Sequence, residues 1–294
     1  MPEPDREPVT ALGELFDQVR AELGAAGLSD AGREARHLIG ALIDVAPEKF
    51  IGHPEMPISN ADRERVRQAL AQRTAGMPIG RIVGHRSFYG RRFRLGPDVL
   101  EPRPDSEVVI DAVLEVVGPA RPLRIIDVGT GSGCLLITLL AELPNATGVG
   151  VDIAPGALVV ARQNAADHGV GDRATFIEGD VLDGIDGCFD VLVSNPPYIR
   201  SDDLAGLAVE VRGHDPVRAL DGGADGLDIY RRIAREITRV VPDGWMFFEI
   251  GAGMAPAVCH EMDQFHGDKT LREWRVWHDL NGHVRCVAGK TLNR

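Results

Sequence analysis

Cysteine is scarce in this chain: four residues in 294, at Cys134, Cys188, Cys259 and Cys286. None forms a CxxC pair or joins a histidine cluster, so neither a disulfide framework nor a zinc site is expected, and no metal. Buried, reduced thiols in a cytoplasmic protein are the simplest expectation. Long apolar runs are missing too. No stretch approaches the roughly 18 apolar residues of a membrane span, so no membrane partner is expected. The opening Met-Pro-Glu-Pro-Asp-Arg-Glu-Pro has neither the basic start nor the apolar core of a secretory leader. Basic excess is absent: 32 Lys and Arg face 44 Asp and Glu, a formal charge of -12. A duplex DNA binder carries a basic footprint, so stable nucleic-acid binding is not expected. Internal repeats and low-complexity segments are also lacking.

What is present is a sizeable hydrophobic complement, 44% of the chain, enough for one large domain or two ordinary ones. Residues 1–76 read as a small helical domain. Leu12, Leu15, Phe16, Val19 and Leu23 recur at three- and four-residue spacing, which puts one apolar stripe on a helix face. Asp30 is placed to cap a helix running to about Val45. Ser59 with Asp62 resembles a capping box for a helix from about Ala61 to Arg73. Gly76-Met77-Pro78 then stops the pattern. This domain shows no catalytic constellation; partner recognition and structural support are both open roles.

Residues 77–104 read as a linking β-hairpin, with short strands at Phe88-Tyr89-Gly90 and Phe93-Arg94-Leu95. Arg81, His85, Arg86, Arg91, Arg92, Arg94 and Arg103 make it locally basic. A solvated hairpin and a contact surface for an acidic or RNA-bound partner are the two readings. From 105 to 294, apolar strands alternate with helices. A helix over about 105–117 precedes strands at Leu123–Val128, Thr147–Asp152, Ala174–Glu178, Phe189–Ser194 and Trp245–Ile250. A closing antiparallel pair is expected around Trp274–Asp279 and Arg285–Ala288. Such alternation predicts an α/β fold, a parallel sheet covered on both faces.

Four features fall at successive strand ends, where open α/β sheets bind ligands. Gly129-Thr130-Gly131-Ser132-Gly133 follows a strand and opens a helix, so its backbone can turn tightly against a ligand. Cys134 stands where the dinucleotide fingerprint has its third glycine, which departs from the NAD pattern. Asp152 ends the next strand and can accept both hydroxyls of a ribose, or merely cap a helix. Asp180 lies beyond the third strand, within reach of an exocyclic adenine amine. Finally, Asn195-Pro196-Pro197-Tyr198 ends the apolar run Phe189–Ser194. Two prolines remove two backbone donors and stop a central strand. Such a turn displays carbonyl groups toward a cleft and suits a site that grips an NH2 group.

This ordered set resembles the class I S-adenosylmethionine-dependent methyltransferases, with their Rossmann-like sheet. In that family Asn-Pro-Pro-Tyr marks the members that methylate amino groups. An amide nitrogen is a poor nucleophile because its lone pair is delocalised. If the Asn195 side-chain oxygen and the Pro196 carbonyl each accept one N–H, the lone pair is aimed at the methyl group. Alignment of this kind contributes on the order of several kcal/mol. No general base is evident, and the methylated nitrogen can lose its proton to water.

Three further stretches narrow the resemblance: Leu100-Glu101-Pro102-Arg103-Pro104-Asp105-Ser106-Glu107, Asp215 to Leu227, and Phe248-Glu249-Ile250-Gly251. With the helical domain and hairpin they are similar to the bacterial release factor glutamine methyltransferases, from about Leu12 to Cys286. The resemblance implies an enzyme that methylates the glutamine side-chain nitrogen in the Gly-Gly-Gln loop of class 1 peptide release factors. The helical domain and hairpin would help hold that factor. Gly129 to Gly133, Asp152, Asp180 and Val181 would bind S-adenosylmethionine. Asn195 would touch both cofactor and glutamine, and Pro196, Pro197 and Tyr198 would shape the acceptor site. Some positions depart from the pattern. Val181 replaces a frequent aromatic, Glu101 an apolar residue, Ser106 a threonine, and His214-Asp215-Pro216 an aromatic-Glu-Pro run. Rival substrates are a ribosomal-protein glutamine, whose enzyme carries Ser-Pro after Pro-Arg, and a nucleic-acid adenine N6. A non-enzymatic cofactor sensor would need no intact Asn195 turn.

Overall fold

A computed structural model describes residues 10–118, 121–266 and 271–291. Two compact units divide between Gly84 and His85.

In the first unit, β1 (Thr10–Ala11) pairs with β2 (Pro57–Ile58), and the helices are α1 (Leu12–Ala25), α2 (Ala31–Ile43), α3 (Lys49–Gly52), α4 (Asn60–Thr74) and α5 (Ile79–Val83). The α1 stripe is buried as its spacing requires, and Phe16 meets Phe50 edge-on at 5.7 Å. Asp30 caps α2 by accepting the Arg33 N–H at 3.3 Å. That helix ends two residues short of Val45, because Asp44 takes a left-handed φ of 54°. Ser59 Oγ accepts the Asp62 N–H at 3.0 Å and gives its own proton to the Asp62 carboxylate at 2.7 Å. The reciprocal arm of the cap therefore runs through the hydroxyl, not the Ser59 backbone. Gly76-Met77-Pro78 ends α4 as expected. The chain then adds α5, whose Ile79 is buried in the same core.

The second unit opens with a hairpin, β3 (His85–Phe88) and β4 (Arg91–Arg94). Its turn is Tyr89-Gly90, not a strand ending at Gly90. Both residues have positive φ, 48° and 71°, as a two-residue hairpin turn of matching twist demands. The expected helix over 105–117 begins instead as a 3-10 turn at Pro104–Ser106 and becomes α6 at Glu107–Val117. There follow β5 (Arg124–Val128), α7 (Cys134–Glu142), β6 (Thr147–Asp152), α8 (Pro155–Asp167), β7 (Ala174–Glu178) and β8 (Val191–Ser194). The chain closes with α9 (Val209–Arg212), α10 (Asp228–Val240), β9 (Trp245–Glu249), α11 (Ala255–His266), β10 (Leu271–His278) and β11 (Val284–Thr291).

These strands form one seven-stranded sheet in the order β10-β11-β9-β8-β5-β6-β7, parallel from β9 to β7 and antiparallel at β10 and β11. Each central strand is apolar on both faces because helices cover both. Ile125, Val191, Val193 and Phe247 face one apolar layer with α6, α7 and α8. Ile126, Leu192, Met246 and Phe248 face the other with α10 and α11. Strand order reverses between β5 and β8, and a crevice opens at their carboxyl ends.

The hairpin is bolted to this sheet. Phe88 and Phe93 are buried in the first layer. Fully buried Asn164 of α8 accepts the Arg94 N–H at 2.8 Å and donates to the Ser132 carbonyl at 2.9 Å. The basic segment is largely neutralised by the chain's own acids: Arg86 with Glu101 at 3.2 Å, Arg91 with Glu142 at 2.7 Å, Arg94 with Asp167 at 2.6 Å, and Arg103 with Asp215. Cys188 is exposed, against the expectation of buried thiols, because it sits in the loop before β8. Among the described residues no helix is long and apolar enough to cross a membrane, and no group of His, Cys, Asp and Glu is arranged to hold a metal. Replacing Asn164 with Ala strands the half-buried Arg94 N–H and the buried Ser132 carbonyl. It should lower unfolding free energy by about 2–4 kcal/mol in urea titrations; a loss under about 0.5 kcal/mol would show that the bolt carries no load.

Candidate active site

The crevice is a cleft of about 1030 Å³ at the carboxyl ends of β5, β6 and β8. The loop after β5 is fixed from below, where the Gly129 and Thr130 N–H groups both donate to the Val151 carbonyl at 2.8 and 2.9 Å. Its glycines at 129, 131 and 133 all have positive φ, 72°, 54° and 79°, which other residues rarely adopt. Asp127, at the end of β5, is 1% exposed. Its Oδ2 accepts the Thr130 hydroxyl at 2.6 Å, while its Oδ1 has no hydrogen-bond partner among the described residues. Burial pushes this carboxyl up to about 7, against the opposing hydrogen bond from Thr130.

Asp152 accepts the Gly131 N–H at 2.8 Å and the Ala154 N–H at 2.9 Å, one on each oxygen. The carboxylate is thereby oriented, and each oxygen keeps a lone pair for a further donor. Burial raises its pKa despite these bonds. The next residue, Ile153, lines the cleft and is 54% exposed, an apolar face without a partner. Across from it lie Asp180, paired with Arg232 at 2.8 Å, and Val181. Val181 holds a φ of 62°, a costly conformation for a β-branched residue and one that concentrates at ligand sites.

The turn after β8 forms the other wall. Asn195 Nδ2 donates to Ser106 Oγ at 3.1 Å. Behind them lies Glu249, at the end of β9 and 2% exposed. Burial pushes its carboxyl up to about 7, while Ser106, Arg285 and Asn195 act to lower it. Burial likewise pushes the Tyr198 phenol up to about 12. A second pocket of about 590 Å³ lies against Pro196, Pro197, Tyr198, Leu207, Val211 and Glu249. Asn195, Pro196 and Pro197 line both pockets, as do Leu100, Arg103 and Ala219.

The turn is backed by the segment before α10. Ile199 N–H donates to the Leu220 carbonyl at 3.0 Å, and Gly222 N–H to the Ile199 carbonyl at 2.8 Å. At Gly222 the backbones approach so closely that an added Cβ would lie 2.7 Å from the Pro197 carbonyl oxygen and 2.8 Å from Tyr198 Cα.

Most residues singled out from the sequence meet here. Gly129, Thr130, Gly131, Ser132, Asp152, Asp180, Val181, Asn195, Pro196 and Pro197 line the cleft at the ends of β5, β6 and β8. Gly133 sits behind its loop as the first cap of α7, and Tyr198 faces only the second pocket. The sequence reading gave no role to Asp127, Ile153, Ser106 or Glu249. Asp127 carried a usable signal, an acid directly before a glycine loop. Glu249 carried another, an acid closing the apolar run from Trp245.

Comparison with known proteins agrees with this geometry. The family description "Methyltransferase domain" matches residues 121–243, and "PrmC N-terminal domain" matches residues 14–84. The release factor glutamine methyltransferase of Rhodospirillum rubrum is 40% identical over 285 residues, covering 97% of this chain and 86% of that one. That of Agrobacterium fabrum is 43% identical over 247 residues, covering 82% and 85%.

The chain belongs to the release factor glutamine methyltransferase family.

A methyltransferase of this family is an enzyme, and solved structures support the fold alone. The catalytic domain of human METTL16, in complex with a MAT2A 3'UTR hairpin, superposes with a TM-score of 0.57 at 15% identity over 82% of this chain and 86% of that one. A methyltransferase from Pyrococcus furiosus gives 0.50 at 13% identity over 79% and 98%. In this methyltransferase, Gly222→Ala should displace the Pro197–Tyr198 backbone while sparing the glycine loop. The expected result is kcat down by about tenfold or more with cofactor affinity within about twofold, read by steady-state kinetics and calorimetry. A normal kcat would show that the backing segment does not set the turn.

Proposed function

We propose that this enzyme transfers the methyl group of S-adenosyl-L-methionine to the side-chain amide nitrogen of the glutamine in the Gly-Gly-Gln loop of class 1 peptide release factors. One observation carries the reading: Asn195 lines both pockets, with its Nδ2 already committed to Ser106. Its Oδ1 is thereby left as an acceptor, and an acceptor is what an incoming NH2 group needs.

The cleft at the ends of β5, β6 and β8 fits the cofactor by donor type. The unpartnered Asp127 Oδ1 suits an ammonium group. The spare lone pairs of Asp152 suit ribose hydroxyls, as in other nucleoside-binding sheets. Ile153 and Val181 offer apolar surface to a flat base, with Asp180 beside them for its exocyclic amine. When bound, the cofactor supplies an electrophilic methyl group on a sulfonium. The second pocket, beside Tyr198, takes the glutamine side chain. There Asn195 Oδ1 and the Pro196 carbonyl accept the two amide hydrogens and turn the nitrogen lone pair toward the first pocket. Fixed acceptors also stabilise the positive charge that grows on nitrogen. The surplus proton then leaves to water. Leu207 and Val211 of the second pocket, with exposed Val209 and Val217 nearby, give the docking loop an apolar rim.

The test is direct: labelled cofactor is offered with a purified release factor and with its loop glutamine-to-alanine variant. Label on the first alone is expected. Label on a ribosomal protein or on nucleic acid would overturn the reading. Asn195→Ala should remove detectable transfer while leaving cofactor affinity nearly intact; an active variant would sink the assigned role.

Asp127 adds a pH dependence. Only its carboxylate form attracts an ammonium, so affinity is full above about pH 7 and lost as pH falls through that value. Cofactor should bind about tenfold more weakly at about pH 6 than at about pH 8 by calorimetry, and Asp127→Asn should flatten the difference. Equal affinities for the wild type at the two values would remove Asp127 from the cofactor site.

A further inference from the structure

We propose that the Glu249 carboxylate stabilises the positive charge that appears on the acceptor nitrogen as the methyl group passes from the cleft to the second pocket. The inference rests on the function proposed above and gives a part to a residue that the proposed reaction leaves unused.

Methyl transfer moves a charge as well as a group. A bond forms between the nitrogen and the methyl carbon while the carbon–sulfur bond breaks, its electron pair staying on sulfur. The positive charge therefore leaves the cleft and appears on nitrogen, until the surplus proton departs. A fixed negative charge speeds this step only if it lies closer to where the charge arrives than to where it starts. Glu249 meets that condition. It lines the second pocket, with Asn195, Pro196 and Tyr198, and does not line the cleft. Asp127 is its counterpart, lining the cleft and not the second pocket. Sheet register gives the same placement. Ser194 of β8 is level with Phe248 of β9 in a parallel pair, so Asn195 and Glu249 come next on neighbouring strands.

The surroundings of Glu249 leave its charge free to act. The residue is 2% exposed, where water screens little. Its Oε2 has no hydrogen-bond partner among the described residues. Arg285 of β11 has its own acids, Asp279 at 2.9 Å and Asp105 at 3.3 Å. The hydrogen bond that ties this position to α10 uses the main chain: the Glu249 carbonyl accepts the Tyr230 hydroxyl at 2.7 Å. A buried charge without a partner is costly to a fold. A cation that forms only during the reaction gives it one.

The stabilisation depends on protonation. The charged and titratable groups around Glu249 are Asp105 of the 3-10 turn, Tyr198 of the turn after β8, Tyr230 of α10, Cys134 of α7, and Arg285 and Cys286 of β11. Burial outweighs Arg285 and pushes the carboxyl up to about 7. The charge is therefore full above that value and lost as pH falls through it.

The experiment compares wild type, Glu249→Gln and Glu249→Asp on a release factor. It also uses two variants of that factor, with lysine or methionine in place of the loop glutamine, which put an ammonium or a neutral thioether in the second pocket. Expected for Glu249→Gln is single-turnover transfer about tenfold slower at about pH 8, with both KM values within about twofold. Glu249→Asp, which keeps the charge, should retain more of the rate. With demethylated cofactor bound, calorimetry should show a preference for the lysine over the methionine factor about tenfold larger in wild type than in Glu249→Gln. A merely structural carboxylate would leave that preference unchanged. A wild-type transfer rate in Glu249→Gln, or equal preferences in the two enzymes, overturns the inference. If Glu249→Gln does not fold, wild type decides: its lysine preference should shrink between about pH 8 and about pH 6, and a constant preference overturns the inference. These outcomes leave the proposed function standing, because the wild type still labels the factor. A wild type that leaves the factor unlabelled overturns the function and the inference together.

Discussion

The site depends on one pairing, that of Val128 with Ser194 at the ends of β5 and β8. The Ser194 hydroxyl strengthens it with a buried hydrogen bond to the Val128 carbonyl at 2.7 Å. The glycine loop begins one residue after Val128, and Asn195 follows Ser194. Register at this pair therefore brings a loop that can cradle a cofactor beside a turn that can hold an amide. A parallel register does this only where neighbouring strands leave their connections on opposite sides, at the reversal of strand order. Slipping the register by one residue would send Asn195 to the wrong face of the sheet.

Much of this was legible in the chain. Both-face burial made β5, β8 and β9 read as apolar runs, and the strand ends located residues that line the cleft without any contact being known. Asp152, Asn195 and the glycine loop were readable because each follows a strand end directly. Asp127 and Glu249 were given no role because what distinguishes them is burial, which a single acidic letter does not reveal. Ser106 was given no role for another reason: it lies 89 residues from Asn195 in sequence, and only the fold makes them neighbours. The turn at Tyr89-Gly90 was misplaced because an aromatic residue with positive φ is rare, so its sequence reads as strand. The basic run at 81–103 suggested a free positive surface. The structure pairs Arg86, Arg91, Arg94 and Arg103 with acids that are distant in sequence.

Division of labour follows from the same geometry. In the proposed mechanism the turn after β8 supplies acceptors for an NH2 group and no more. Selection of the acceptor falls to what surrounds the second pocket. Segment 98–103 is clasped to segment 215–218 by two pairs, Asp98 with Arg218 and Arg103 with Asp215. Glu101, unusual before Pro-Arg-Pro, is accommodated by Arg86 at 3.2 Å, so a polar residue is tolerated in a buried place. Asp215 supplies the carboxylate for Arg103.

The central claim is that Asn195 and Pro196 hold the two hydrogens of one amide nitrogen. A crystal structure with the demethylated cofactor product and a Gly-Gly-Gln peptide tests it most directly. The account predicts the glutamine nitrogen within about 3 Å of both Asn195 Oδ1 and the Pro196 carbonyl oxygen, with Asn195 Nδ2 still on Ser106. A glutamine nitrogen donating elsewhere, or facing Asn195 Nδ2, would contradict it.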